Sequence, residues 1–165
     1  MNFKLIPWAK SDLESVAKHA NNSNILKFMS DGFPHSYDKW KSFIEFAVHD
    51  KSVHYLAIEI EGQAVGGIGI SPNKDVMCKN AELGYWLSEE YWGQGVMTTA
   101  IKEIVAIAFA NYDINRIFAT PYETNYASHR ILEKAGFVLE ARFEKIVYKN
   151  GELLDELVYA IRRAK

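Results

Sequence analysis

Two hydrophobic periods alternate along these 165 residues in an order that predicts an α/β fold of the α+β kind. Three observations carry the prediction. β-rich runs at 53–60 and 64–70 flank Glu61-Gly62 as a hairpin. A long apolar stripe of helical spacing follows Gly95. Asn150-Gly151, the strongest hairpin-turn signal in the chain, separates two further β-rich runs.

Each element follows from its own pattern. Phe3, Leu5 and Pro7 alternate with polar neighbours as an opening strand. Ser11 is placed to cap a helix through Leu13, Val16 and Ala17, with Asp12 and Glu14 near its positive end. Ile25, Leu26, Phe28 and Met29 suit a second short helix within 21–30, which Asp31-Gly32-Phe33-Pro34 breaks. Asp38 is expected to cap a third helix with Trp40, Phe43, Ile44, Ala47 and Val48 on its apolar stripe. After the first hairpin, 81–87 reads as a strand. Met97, Ile101, Ile104, Val105 and Ala108 then form the stripe of the long helix, widened by Val96, Ala100 and Ile107. A strand at 116–120 ends at Pro121, and a helix at 127–135 stops at Gly136. Strands at 137–149 and 152–161 close an order β-α-α-α-β-β-β-α-β-α-β-β. With no repeat or linker, residues 1–165 are expected to form one domain.

Composition narrows the function classes. With 48% hydrophobic residues the chain can build a core. A net charge of −2 supplies no basic field for nucleic acid or an anionic membrane. Cys78, the lone cysteine, excludes an internal disulfide and a cysteine-rich zinc site. His19, His35, His49, His54 and His129 make no zinc-ligand motif with neighbouring acids, so no metal is expected. No apolar run reaches the ~18–20 residues of a membrane span, and 1–10 lacks a long apolar signal region. A soluble, cytoplasmic protein is the expectation.

The segment from Leu83 to Gly95 runs from a strand into a helix. Gly93 and Gly95 let the backbone approach a ligand, and the helix start offers unpaired N–H groups to phosphate oxygens. A Walker loop needs Lys-Ser/Thr where Val96-Met97 stands, and a dinucleotide fingerprint needs Gly or Ala at Thr98.

Glu82-Leu83-Gly84-Tyr85-Trp86-Leu87 followed by Tyr91-Trp92-Gly93-Gln94-Gly95 resembles the acetyl-coenzyme A (acetyl-CoA) loop of the GNAT N-acetyltransferases. Asn125, Ser128 and Leu132-Glu133-Lys134-Ala135-Gly136-Phe137 resemble that superfamily's second conserved block. The resemblance covers essentially the whole chain and is closest to the subgroup that acetylates ribosomal-protein N-termini. It departs at Glu90, where Gln or Arg is common, at Met97, where a small residue is usual, and at Leu132, where many members carry Tyr.

The resemblance implies a mixed, mostly antiparallel, twisted sheet flanked by helices, with pantetheine in a V between the strands at 82–87 and 115–121. The cofactor residues it implies are Leu87, Ser88, Gly93, Gln94, Gly95, Met97, Thr98, Thr99 and Asn125, with pyrophosphate on N–H groups from about 94 to 99. Asn125 also reads as a helix cap. Glu82 resembles the base of some members, and equally reads as an outward strand carboxylate. Ser128 is the candidate proton donor to the leaving thiol, or a support of its helix's first turn. Phe28, Phe33, His35 and Tyr37 are candidate substrate contacts, with Tyr122, Tyr148 and Tyr159 as weaker additions. The implied reaction is direct attack by a primary amine, of a protein N-terminus or a small molecule, in a monomer or homodimer. A noncatalytic acyl-CoA-binding module is the alternative.

Overall fold

Seven strands pair in the order β1-β2-β3-β4-β5-β7-β6, and one pairing in that series breaks the antiparallel rule. The computed structural model describes residues 2–49 and 54–164; Val53, expected to open a strand, lies outside them. The strands are β1 (Lys4–Pro7), β2 (His54–Ile60), β3 (Gln63–Pro72), β4 (Asn80–Leu87), β5 (Arg116–Ala119), β6 (Val138–Lys149) and β7 (Glu152–Arg162). The helices are α1 (Leu13–Ala20), α2 (Ser23–Leu26), α3 (Tyr37–His49), α4 (Val96–Asn111) and α5 (Tyr126–Lys134). Every neighbour pair is antiparallel except β4–β5, which is parallel through Asn80↔Arg116, Ala81↔Ile117 and Glu82↔Phe118. The expected mixed, mostly antiparallel sheet is the one observed.

Both predicted hairpins turn where left-handed backbone was expected. Glu61 and Gly62 have φ of 52° and 77°, and Asn150 and Gly151 of 51° and 85°. Such pairs match the twist of antiparallel strands. The helix starts differ from expectation. Ser36, not Asp38, precedes α3, and its Oγ accepts from Lys39 N at 3.4 Å. A 3-10 turn over Lys10–Asp12 leads into α1, and Asp12 Oδ2 accepts from Ala9 N at 2.8 Å, so Ser11 is not the cap. Asn22 caps α2 through Asn24 N at 2.8 Å, which sets its start, and the helix runs four residues, Ser23–Leu26, where 21–30 was expected.

The sheet separates two cores. On one face, Ala100, Ile101, Ile104 and Ala108 of α4 pack on Ile68, Ile70, Leu83 and Ile117, with Leu132 of α5. On the other, Val16 of α1 and Trp40 and Ile44 of α3 pack on Trp8, Ala57 and Trp86. Strand alternation therefore sorts β4: Leu83, Tyr85 and Leu87 face α4, while Glu82, Gly84 and Trp86 face α1 and α3. Among the described residues, no helix is long and apolar enough to cross a membrane.

Candidate active site

β4 and β5 share only three paired positions, and beyond Glu82 the β5-side edge of β4 has no strand partner. The gap is the entrance to a cleft of about 630 Å³. α4 begins at the same end. Gly95, at its N-cap with φ of 79°, brings no side chain to cap the first N–H groups. Gly93 has φ of 73°, and a Cβ on either glycine would meet nothing within 4 Å, so the backbone lies open to the cleft. Free N–H groups at a helix start suit an anionic group.

The cleft brings together Glu82, Leu87, Gly93, Gly95, Met97, Thr98, Asn125, Ser128 and Phe28 of the expected set. Gln94 turns its side chain back, Nε2 donating to Glu90 O at 3.0 Å. Thr99 does not line the cleft, because its N–H closes the first turn of α4 on Gly95 O at 3.1 Å. Ser88 is also misplaced by the sequence. Its N–H donates to Val65 O at 2.8 Å and its carbonyl accepts from Tyr91 N at 3.1 Å, which closes a 3-10 turn at 89–91. Leu87 O accepts from Trp92 Nε1 at 2.8 Å.

Two substrate candidates lie elsewhere. Tyr37 donates its hydroxyl to Glu14 at 2.9 Å, fastening α3 to α1, and His35 sits on an exposed loop against Phe33 O. Neither lines the cleft or the second cavity on the α3 face. Phe33 lines a second cavity on the α3 face, whereas Tyr122 lines the cleft. Tyr148 is exposed, and Tyr159 is buried against Glu133.

Asn125 Oδ1 accepts from Ser128 N at 3.2 Å and so caps α5. The buried Ser128 is within 2.5 Å of the Tyr85 hydroxyl, which burial pushes up to about 12. Leu132 is fully buried in the α4 core. Glu82 faces away from this pair, and desolvation raises its pKa above the usual carboxylate range. Glu156 of β7 also lines the cleft; burial first and the Glu82 charge second raise it as well. Leu157 and Tyr159 pack on the α4 side, so Glu156 shares the Glu82 face. The cleft thus passes through the sheet, with carboxylates on one face and hydroxyls on the other. Sequence reasoning passed over Tyr85 and Glu156, whose partners are distant along the chain.

Glu90 turns away from the glycine loop. Its Oε1 is 2.9 Å from His19 Nδ1, which is also 3.1 Å from Ser88 Oγ. Beside it, Asn22 and Asn24 donate to Glu89 at 2.8 and 3.0 Å and hold that carboxyl below its ordinary range. Among the described residues, no group of three or more His, Cys, Asp or Glu is placed to hold a metal ion.

A sheet parted at its parallel pair beside a glycine-led helix is the architecture of an acetyltransferase fold. The chain belongs to the GNAT acetyltransferase domain family, whose model, described as "Acetyltransferase (GNAT) domain", matches residues 2–138. It is 30% identical over 101 residues to YdaF of Bacillus subtilis (strain 168), provisionally named a ribosomal N-acetyltransferase. That match spans 61% of this chain and 55% of YdaF, about half of the relative's length. Spermidine N(1)-acetyltransferase of Escherichia coli (strain K12) is 23% identical over 155 residues, 90% of this chain and 80% of that protein. Among solved structures, the microcin C7 self-immunity acetyltransferase MccE, in complex with acetyl-CoA and AMP, superposes with a TM-score of 0.84. Identity there is 24%, over 98% of this chain and 92% of MccE.

Proposed function

We propose that this chain is an acetyl-CoA-dependent N-acetyltransferase acting on a primary amine, of a protein N-terminus or a small molecule, by direct attack. The observation that carries the reading is the passage through the sheet where β4 and β5 part. On this reading residues 1–165 work as one cytoplasmic domain, as a monomer or homodimer, without metal, nucleic acid or membrane.

Bound acetyl-CoA supplies a thioester carbonyl and a thiolate leaving group. Its pyrophosphate is assigned to backbone N–H groups from Gly93 to Thr98, and its pantetheine to the open edge of β4, in the manner of an added strand. Asn125 would stand beside the pantetheine arm while capping α5. Leu87 contributes through the cleft wall, and Met97 through its backbone. Ser88 and Thr99 drop out, because their N–H groups are bonded within the fold.

Glu82 is assigned as base, taking a proton from the acceptor ammonium directly or through water. The amine nitrogen then forms the C–N bond as the C–S bond breaks, with a β4 N–H polarising the carbonyl oxygen. Ser128 is assigned as donor to the departing sulfur, its hydroxyl rotor set by Tyr85, so that the proton shed by the acylated nitrogen ends on the free thiol. A screen for coenzyme A release over peptides, polyamines and aminoglycosides tests the reading. Saturable acetyl-CoA binding with amine-dependent release is expected. Binding without turnover would favour the noncatalytic module, which Leu132 in the acid position motivates, and no binding would sink both.

A further inference from the structure

The α3 face of β4 carries a second cavity of about 710 Å³ that opens beside the cleft. Its walls are aromatic: Phe33, Phe43, Phe46, Tyr55 and Trp86 line it. The rings meet edge to face, Phe33 on Trp86 at 6.0 Å and Phe43 on Tyr55 at 5.6 Å. Gly67 and Gly69 of β3 make this arrangement possible. A Cβ on Gly69 would come within 2.2 Å of the Tyr55 ring, and one on Gly67 within 2.7 Å of Trp86 Nε1. Bare backbone is therefore what lets the rings lie on the sheet. Asp38 and Lys39, one of each sign, are the charged residues of the lining. Such a wall suits a flat apolar group, whereas a string of ammonium groups would meet a single carboxylate, Asp38, with Lys39 beside it.

The two cavities share Met29, Ser30, Gly84, Tyr85 and Trp86. Gly84 stands between Glu82 and Trp86 on one face of β4, and a Cβ there would meet nothing within 4 Å. The missing side chain leaves a passage from the aromatic cavity to the carboxylates. One strand repeat, about 7 Å, separates Gly84 from Glu82. A two-carbon arm of about 4 Å, a hydrogen bond of about 2.8 Å and the Glu82 side chain together span that separation for a ring seated at Gly84. At the far end Glu82 and Glu156 present two carboxyl groups to a single incoming ammonium.

Resting on the transferase reading, we propose that the acceptor is a primary amine carried close to an aromatic ring. The ring occupies the Phe33–Phe46–Tyr55 cavity, and the amine crosses Gly84 to Glu82. An arylalkylamine and a chain end that begins with an aromatic residue share this chemistry.

Binding and turnover, measured side by side, test the assignment. Phenethylamine is expected to bind the protein saturably by calorimetry, with coenzyme A present. Phe46→Asp, at a ring 47% exposed and so tolerant of change, is expected to weaken that binding about ten-fold. In the coenzyme A-release assay, phenethylamine is expected to exceed spermidine in kcat/KM, and a Phe-initiated peptide an Ala-initiated one, each about ten-fold. Whichever ring-bearing acceptor reacts faster identifies the source of the ring. Absence of phenethylamine binding, or an equal response to ring-bearing and ring-free amines, overturns the cavity assignment even where coenzyme A is released. Phenethylamine binding that Phe46→Asp weakens, with no release from any amine, keeps the cavity and overturns the transferase reading instead.

Discussion

His19 on α1 and Glu90 in the turn after β4 are bound to each other, Nδ1 to Oε1 at 2.9 Å, with Ser88 Oγ 3.1 Å from the same nitrogen. The imidazole is buried, and its Nε2 has no partner among the described residues. The side chain that departs from the family pattern thus fastens α1 to the turn after β4, and on the proposed reading phosphate is left to the backbone. Glu90→Ala is expected to lower the melting temperature by about 2–4 °C, the effect of roughly 1 kcal/mol in a domain of this size. Acetyl-CoA affinity, read by calorimetry, should stay within about two-fold of the parent if, as proposed, backbone donors hold the anion. A ten-fold loss would return a phosphate role to position 90.

Glu82 is expected to set the acidic limb of the pH–rate profile. Desolvation raises its pKa in the fold, so the active carboxylate forms at a higher pH than for an exposed glutamate. Glu82→Gln should lower kcat by about 10²-fold or more and erase that limb. Stability should move the other way. A pKa raised on folding penalises the native state as pH climbs through it, so the neutral glutamine should melt higher at pH 7.5. That advantage should vanish below the carboxylate's unfolded range. An unchanged acidic limb in the variant would move the base elsewhere, with Glu156 the next carboxylate to test.

The hydroxyl pair makes a prediction about coupling. If Tyr85 acts only by orienting Ser128, then Tyr85→Phe should cost about ten-fold in kcat and Ser128→Ala more. The double variant should then be no worse than Ser128→Ala alone. Additive losses in single-turnover measurements would give Tyr85 an independent role.

Gly95 has a left-handed backbone and open space where a side chain would stand. Gly95→Ala is expected to cost roughly 1–2 kcal/mol of stability from backbone strain. Gly95→Trp should in addition fill the approach to the α4 N-terminus and weaken acetyl-CoA binding about 50-fold or more, on the steric argument for close backbone approach. A folded Gly95→Trp protein with parental affinity would remove the loop assignment.

Asp155 staples the irregular part of β6. Its Oδ1 accepts from Lys145 N at 3.0 Å and its Oδ2 from Arg142 Nε at 2.6 Å, which together hold its carboxyl at about 2. A pKa depressed on folding stabilises the native state above the unfolded value, and that contribution fades as pH falls toward 2. Asp155→Asn should therefore melt below the parent at pH 7, with the gap closing between about pH 4 and pH 2 in circular dichroism melts. A constant gap would mean that packing, not charge, is what the asparagine disturbs.

What was legible in the sequence was local. Asn150-Gly151 and Glu61-Gly62 announce their hairpins because few residues accept positive φ, and the α4 stripe announces its helix because seven apolar positions share its buried face. Gly93 and Gly95 mark the loop for the same backbone reason. What was illegible depends on partners far along the chain. Nothing near Glu90 signals His19, and nothing near Tyr85 signals Ser128, 43 residues away. His35 and Tyr37 read as pocket residues because they follow a loop rich in aromatic and turn residues. Their side chains instead answer to Phe33, Lys39 and Glu14. The Asp38 cap failed for a smaller reason, since two polar residues compete for one helix start and Ser36 takes it.

The break in β4–β5 pairing after Glu82 has a consequence for how such a protein changes over time. The gap between the two strands exists because their main-chain pairing stops there. On the proposed reading, the residues that decide which amine enters can therefore drift independently of the donor side. A lineage could exchange acceptors by altering Phe33, Phe46 or Glu156 alone, each lying off the glycine loop and α4. The architecture separates what must be kept from what is free to vary.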